Sequence, residues 1–518
     1  MIKTSVPADE PRRARVGLAL LLLMYLFIGS TYAQESKPVA PPAPAPSGLR
    51  EFVTHHMIEI GKEPLSYTAI ADETIVRDRD GSPEASFFSI AYIKEGVDRP
   101  DVRPITFLFN GGPGSSSAWL HLGAFGPRRL VLPNDPVIPG GAPYSLVDNE
   151  ETLLRYSDLV FVDPVGTGYS HALGKKSDRD YWGVDEDSAI IAKFIRSYLT
   201  ANKRWNSPKY LAGESYGTIR ASLLVRDLEL APLDGLNING VILLSAALNP
   251  RTFMPGGPGN ELPYVANLPT YAATAFYHRV LPQPRGELDA FLRQVEDFAS
   301  SEYLTALFKG DSLPAGEQET IAQKLHEYTG LSVNYLKHAR LRIDQVRFRK
   351  ELLRDRGLVM GVYDTRYTGK DPDEAGEQVQ FDPFLFGIAG PFVATLNNYL
   401  SAELSVKVDR PYVVFTSEAA GSWKRARNGN FVFAGFLNTI PYLAQAAATN
   451  RDFRIFVASG LYDLMTAYYG TRYIFNQSGI EKDRLTLKTY AGGHMMYTVP
   501  SSLQQLSADI GAFMKPRW

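Results

Sequence analysis

The chain has 518 residues, 45% of them apolar and 21% charged, a formal charge of −2 and no cysteine. That is the usage of a large globular protein able to bury a substantial core. It excludes a fibrous or disordered chain, a disulfide scaffold, thiolate nucleophiles and cysteine metal sites. Acidic and basic residues are intermixed, so no electrostatic platform for nucleic acid is expected.

At the amino terminus, Arg12, Arg13 and Arg15 precede an apolar run over 16–29, and Thr31-Tyr32-Ala33 offers a small-residue cleavage site before Gln34. Fourteen residues are short for a hydrocarbon core of about 30 Å, so residues 1–33 read as a secretory signal peptide, with no stable membrane insertion expected after cleavage. Export without cysteine fits a bacterial periplasmic or secreted protein. Residues 34–49, rich in Pro and Ala, read as an extended linker.

Residues 50–254 read as the first part of a folded core. Antiparallel strands are expected between Glu51 and Glu95, with a turn at Asp80-Gly81. Strands at 105–109 and 158–163, a helix at 185–200, a short strand at 210–212, a helix over 218–230 and a strand at 240–246 follow. From 255 to 404 helical periodicity dominates, over 286–308, 318–328 and 341–354, and this reads as an inserted helical cap. The cationic run from Arg340 to Arg356 reads as a solvated helix face. Asp371, Asp373 and Glu374 fit no complete calcium loop, and no His-Glu-x-x-His zinc motif occurs, so neither metal nor cofactor is expected. Residues 405–518 return to the core, with strands at 454–460 and 485–490. The alternation predicts an α/β fold, a central mostly parallel sheet interrupted by the cap, and the Gly-x-Ser-x-Gly segment at 213–217, set between a strand and a helix, makes it the α/β-hydrolase kind.

The chemistry is concentrated at strand ends. Gly213-Glu214-Ser215-Tyr216-Gly217 lies where a strand hands over to a helix, and a serine held there on a tight turn has the setting of a nucleophile elbow. Asp463 falls just past the strand at 454–460, and His494 follows the strand at 485–490 through Ala491-Gly492-Gly493. Of the eight histidines, only His494 lies just past a strand end downstream of the serine. Ser215, Asp463 and His494 then stand in the order of a hydrolase: nucleophile, orienting acid and general base. A tetrahedral oxyanion needs preset donors. The N–H of Tyr216, after the nucleophile, is the expected first one and that of Gly112, in Asn110-Gly111-Gly112-Pro113-Gly114, the second.

With these motifs on the page the chain resembles the serine carboxypeptidases. Their Asn-Gly-Gly-Pro-Gly loop, Gly-Glu-Ser-Tyr elbow, Gly-x-x-Asp loop and Gly-His-Met loop match residues 110–114, 213–216, 460–463 and 493–495, and residues 161–170 are similar to a further family loop. The resemblance implies removal of a C-terminal residue from a peptide substrate through an acyl-enzyme, usually with an acidic optimum. It implies substrate-binding roles for Asn110, Gly111, Glu214 and Met495, with the loop asparagine and the glutamate holding the terminal carboxylate. Two positions depart from the pattern: Leu108 stands where the family has tryptophan, and Ala124 where it has a second glutamate. A glutamate can donate to a carboxylate only while protonated, and a neighbouring acid helps to keep it so. Without that neighbour, weaker action on free C-termini than on small esters or amides is expected. Three readings stay open: a carboxypeptidase-type serine peptidase, an esterase or acyltransferase on the same groups, and a catalytically silent binding protein. The sequence does not fix the oligomeric state.

Overall fold

Strands whose residues are apolar on both sides must be buried on both sides, and this governs the centre of the molecule. The computed structural model describes residues 51–515, apart from 232, 255–256, 258 and 426–436. The expected signal peptide and linker, residues 1–49, lie outside the described residues. An antiparallel meander comes first: β1 (Glu51–Ile60), β2 (Glu63–Arg77) and β3 (Pro83–Lys94), in which β1 pairs with β2 and β2 with β3. Six shorter strands follow: β4 (Ile105–Phe109), β5 (Asp158–Val162), β6 (Lys209–Glu214), β7 (Gly240–Leu244), β8 (Arg454–Gly460) and β9 (Leu485–Tyr490).

The spatial order is β1-β2-β3-β5-β4-β6-β7-β8-β9, with a short tenth strand, His171–Ala172, against β3. β5 lies antiparallel to β3, and every pair from β5 to β9 is parallel. Period-2 alternation sends Val241 and Leu243 of β7, with Ile455 and Val457 of β8, into one apolar layer. Ile242, Leu244, Phe456 and Ala458 enter the opposite one. The strand expectations hold to within a few residues, and the fold is the α/β-hydrolase kind expected.

Three helices that belong to or flank this core are α1 (Val184–Ala201), α2 (Tyr216–Leu224), which leaves the elbow, and α9 (Pro500–Met514). Between β7 and β8 the inserted helices include α3 (Leu262–Tyr277), α4 (Leu288–Phe298), α5 (Ala315–Thr329), α6 (Gln345–Glu351) and α7 (Pro383–Asn398). After β8 comes α8 (Tyr468–Asn476). Several inserted helices share an apolar cluster of their own, including Tyr271, Phe291, Val295, Leu325 and Phe348. Tyr462 and Leu464, flanking Asp463, are buried in the same cluster.

Three expectations for this insertion need correction, the first being the helix over 341–354, which shortens to Gln345–Glu351. The helix over 286–308 is interrupted by a wide turn at Ala299–Tyr303. The cationic run is a solvated face only in part: Arg340, Arg347 and Arg356 are exposed, but Arg349 and Lys350 are buried. Arg349 reaches the Met360 carbonyl at 2.8 Å and Asp382 at 3.1 Å, and Lys350 pairs with Asp371 at 3.1 Å. Buried charge is tolerated because each cation finds an acid distant in sequence. Asp371 is therefore held by a lysine.

Candidate active site

In-register parallel strands end together, and that delivers the loops of interest to one rim. Phe109 pairs with Gly213, Glu214 with Leu244, Leu244 with Ala458, and Gly460 with Tyr490. The segments carrying Asn110 to Gly112, Ser215, Asp463 and His494 thus leave the sheet at the same carboxyl edge, where open α/β sheets place their sites.

Ser215 has φ +57° and ψ −125°, a left-handed backbone that is costly for a non-glycine residue, of the order of 1–3 kcal/mol. The turn survives because β6 before it and α2 after it over-determine its path. A β-carbon on Gly213 would lie 2.1 Å from the Gly217 carbonyl oxygen, so the spacing of the two glycines about the serine is a steric necessity. The glycine loop lies against this elbow, since a β-carbon on Gly111 would stand 2.5 Å from the Tyr216 nitrogen. Gly112, at φ +101°, and Tyr216 therefore belong to touching segments.

Asn110 is fully buried and ties the two segments together. Its Oδ1 accepts from Leu120 N–H at 3.0 Å, and its Nδ2 donates to Glu214 Oε1 at 3.2 Å. Its carbonyl accepts from Arg220 Nη1 at 2.6 Å, and Arg220, wholly buried on α2, is paired with Asp187 of α1 at 2.7 Å. Sequence reading missed this arginine, because its acid lies 33 residues away with no motif to link them.

Asp463 and His494 are brought together. The Nδ1 of His494 lies 2.9 Å from Asp463 Oδ2, with both side chains buried. Asp463 is held in turn: Oδ1 accepts from the N–H groups of Met465 and Thr466, and Oδ2 from the Thr466 hydroxyl at 2.8 Å. The Asp-x-x-Thr spacing is a local turn signal that could have been read in advance. Ser245 Oγ donates to the His494 carbonyl at 2.6 Å, and Tyr363 of the inserted segment accepts from the His494 N–H at 2.5 Å. Burial acts to lower the His494 pKa, but the charge and hydrogen bond of Asp463 outweigh it, and the net direction is upward. Nδ1 faces Asp463, while Nε2 is buried without a hydrogen-bond partner among the described residues, so no bond to Ser215 Oγ is formed. Ser215 itself is partly exposed, and its N–H bonds the Leu244 carbonyl, one residue before Ser245.

Glu214 is buried, and burial pushes its carboxyl up to about 7 against the opposing influence of His494, Tyr497 and Asn110. Met495 packs in the main apolar cluster. Among the described residues no group of acids and histidines could hold a metal ion, and no helix is long and apolar enough to cross a membrane.

This is an α/β-hydrolase fold with a strained serine turn, a glycine loop and an acid–imidazole pair at one rim of its sheet. Within that class, residues 80–255 match the family described as serine carboxypeptidase. The chain is 32% identical over 223 residues to the pheromone-processing carboxypeptidase KEX1 of Cryptococcus gattii, covering 41% of this chain and 30% of that one. It is 24% identical over 210 residues to serine carboxypeptidase-like 42 of Arabidopsis thaliana, covering 40% of this chain and 37% of the relative. The alignments thus span about a third of these relatives' lengths. Among solved structures, the prohormone-processing carboxypeptidase KEX1(Δ)p of Saccharomyces cerevisiae superposes with a TM-score of 0.52 at 16% identity, covering 86% of this chain and 91% of that one, a likeness of fold.

Proposed function

We propose that the chain is an exported serine peptidase of carboxypeptidase type, hydrolysing peptide bonds at or near the C-terminus through an acyl-enzyme on Ser215. The observation that carries this reading is the buried 2.9 Å contact between Asp463 and His494, leaving from the same sheet rim as the serine turn. Asp463 fixes the tautomer with the proton on Nδ1, which leaves the Nε2 lone pair free to act as a base. His494 takes the Ser215 proton as Oγ attacks the scissile carbonyl. The negative charge that develops on that oxygen is met by the N–H groups of Gly112 and Tyr216. His494 then passes the proton to the leaving amine as the C–N bond breaks, and water, activated by the same imidazole, releases the acyl group.

Asn110, Gly111, Glu214 and Met495 form the substrate-binding part of the proposal. Glu214 is suited to donate to a carboxylate because burial favours its protonated form. Export belongs to the same proposal and rests on the leader-like residues 1–33 and the lack of cysteine. A second reading, an esterase or acyltransferase on the same groups, draws on Ala124, which supplies no second carboxyl.

The test is mass spectrometry of a peptide library incubated with the wild type and with Ser215→Ala. Loss of single C-terminal residues, absent in the variant, is expected. Internal cleavage, or equal cleavage by both proteins, contradicts the proposal, and aminolysis products with an added amine would favour acyl transfer.

A further inference from the structure

Three polar atoms at this rim are sealed from water and have no hydrogen-bond partner among the described residues: His494 Nε2, Glu214 Oε2 and Tyr497 Oη. Buried hydroxyls without partners are uncommon, and each calls for an explanation. The imidazole has a task in the chemistry above and Glu214 is part of the binding proposal. Tyr497 has none, and a phenylalanine would fill its space without leaving a hydroxyl unpaired.

Its position is informative. Tyr497 sits three residues past His494, on the short turn Met496–Thr498, and only 1% of it is exposed. Its ring packs on the helical turn His121–Phe125, so closely that a β-carbon on Gly123 would meet it at 2.7 Å. The next residue is Ala124, where the resemblance leads one to expect an acid. The phenol is thus packed on the turn that carries position 124.

Tyr497 also faces Glu214. Each shifts the titration of the other, and burial with the Glu214 charge raises the phenol well above its ordinary pKa, yet neither oxygen closes a hydrogen bond of ordinary geometry. Asn110 Nδ2 already donates to Oε1, so the proton of a neutral Glu214 belongs on Oε2. The Glu214 and Tyr497 hydroxyls then lie near each other, and although the phenol oxygen is able to accept, no hydrogen bond of ordinary geometry joins them. The titratable groups that act on Glu214 besides Tyr497 are His494 and Asp463, and Glu214 in turn acts on the Tyr363 phenol from the inserted segment. A carboxylate placed here would be met by neutral donors, with no lysine or arginine among those neighbours.

We propose that Tyr497 and Glu214 form a pair of hydroxyl donors that binds the terminal carboxylate of the peptide substrate, Tyr497 standing in for the acid absent at position 124. The inference rests on the carboxypeptidase reading of Ser215, and it reverses the sequence expectation of a weakened preference for free C-termini. The pair works while Glu214 is protonated and fails as it ionises.

The test compares kcat/KM for a blocked dipeptide with its C-terminal amide, using wild type and Tyr497→Phe, with fluorophosphonate labelling of Ser215 on both. The wild type should prefer the free acid by about tenfold or more, the scale of one charge-assisted hydrogen bond, and a labelled Tyr497→Phe should lose at least tenfold of that ratio. No preference in the wild type, or an unchanged ratio in a labelled variant, overturns the inference. An unlabelled wild type overturns the underlying Ser215 reading and this inference with it. Should only the variant fail to label, inhibition of wild-type ester hydrolysis by N-acetyl-leucine and by its amide decides. Inhibition by the acid should weaken at least tenfold between pH 5.5 and 8 while that by the amide holds, and a matching response of the two overturns the proposal.

Discussion

Gly460 and Gly493 are pressed together so closely that a β-carbon on Gly460 would lie 1.8 Å from the Gly493 carbonyl oxygen. This contact joins the end of β8 to the loop after β9, and so sets how near Asp463 comes to His494. An alanine at 460 must push the backbones apart. Gly460→Ala should cost about 1–3 kcal/mol in urea unfolding. It should lower kcat/KM by about 100-fold, because a displacement near 1 Å is enough to misplace the base. Full activity in a destabilised Gly460→Ala would show that the contact does not set the site.

The pH dependence of ester hydrolysis should report His494. Its pKa is raised because Asp463 outweighs the effect of burial, and the base works only when unprotonated. Activity on a neutral ester should therefore climb with pH along a limb lying above the ordinary histidine value of 6.5. In Asp463→Asn the counter-charge is gone and burial acts alone, so the limb should move to lower pH while kcat falls by about 10³–10⁴-fold. A limb that stays in place would assign the titration to another group.

Glu214 gives a stability prediction with a definite sign. Its folded-state pKa of about 7 lies above the ordinary value of 4.5, so the folded protein binds the proton more tightly than the unfolded chain. That contribution is fully present below pH 4.5 and is lost as pH rises through 7. Glu214→Gln removes the titration, so its stability relative to wild type should improve between pH 4.5 and 8 by roughly 2–3 kcal/mol at 1.36 kcal/mol per unit. Urea unfolding at the two pH values measures it, and a pH-independent difference would mean that the carboxyl ionises freely in the fold.

Arg220 anchors the glycine loop through the Asn110 carbonyl and neutralises Asp187, which is itself buried. Removing one member of a buried pair strands the other, so Arg220→Ala should cost about 3–5 kcal/mol. Adding Asp187→Ala should return part of that loss. Additive losses in the double variant would show that the two charges do not stabilise each other.

The strands were legible because β4, β7 and β8 are buried on both faces and read as continuous apolar runs. Gly213 and Gly217 could be read because their lack of a β-carbon is what lets β6 turn into α2. The resemblance to the serine carboxypeptidases rested on short loops at strand ends, and those carry most of their meaning locally. What stayed hidden was non-local. Arg349 and Lys350 look like surface cations until Asp382 and Asp371 arrive from later in the chain. Tyr363, whose carbonyl holds the His494 N–H, comes from the inserted segment, and no periodicity announces it. Tyr497 belongs to no spacing pattern, and only the approach of the 121–125 turn to its ring gives it a setting.

The central claim is that Ser215 is activated by His494, and phosphonylation tests it most directly. A fluorophosphonate should give a single adduct, mapped by mass spectrometry to the peptide containing Ser215, with a labelling rate that drops at least 10³-fold in His494→Ala. A folded wild type that takes no adduct at Ser215, or a His494→Ala variant labelled as fast as wild type, would contradict the account.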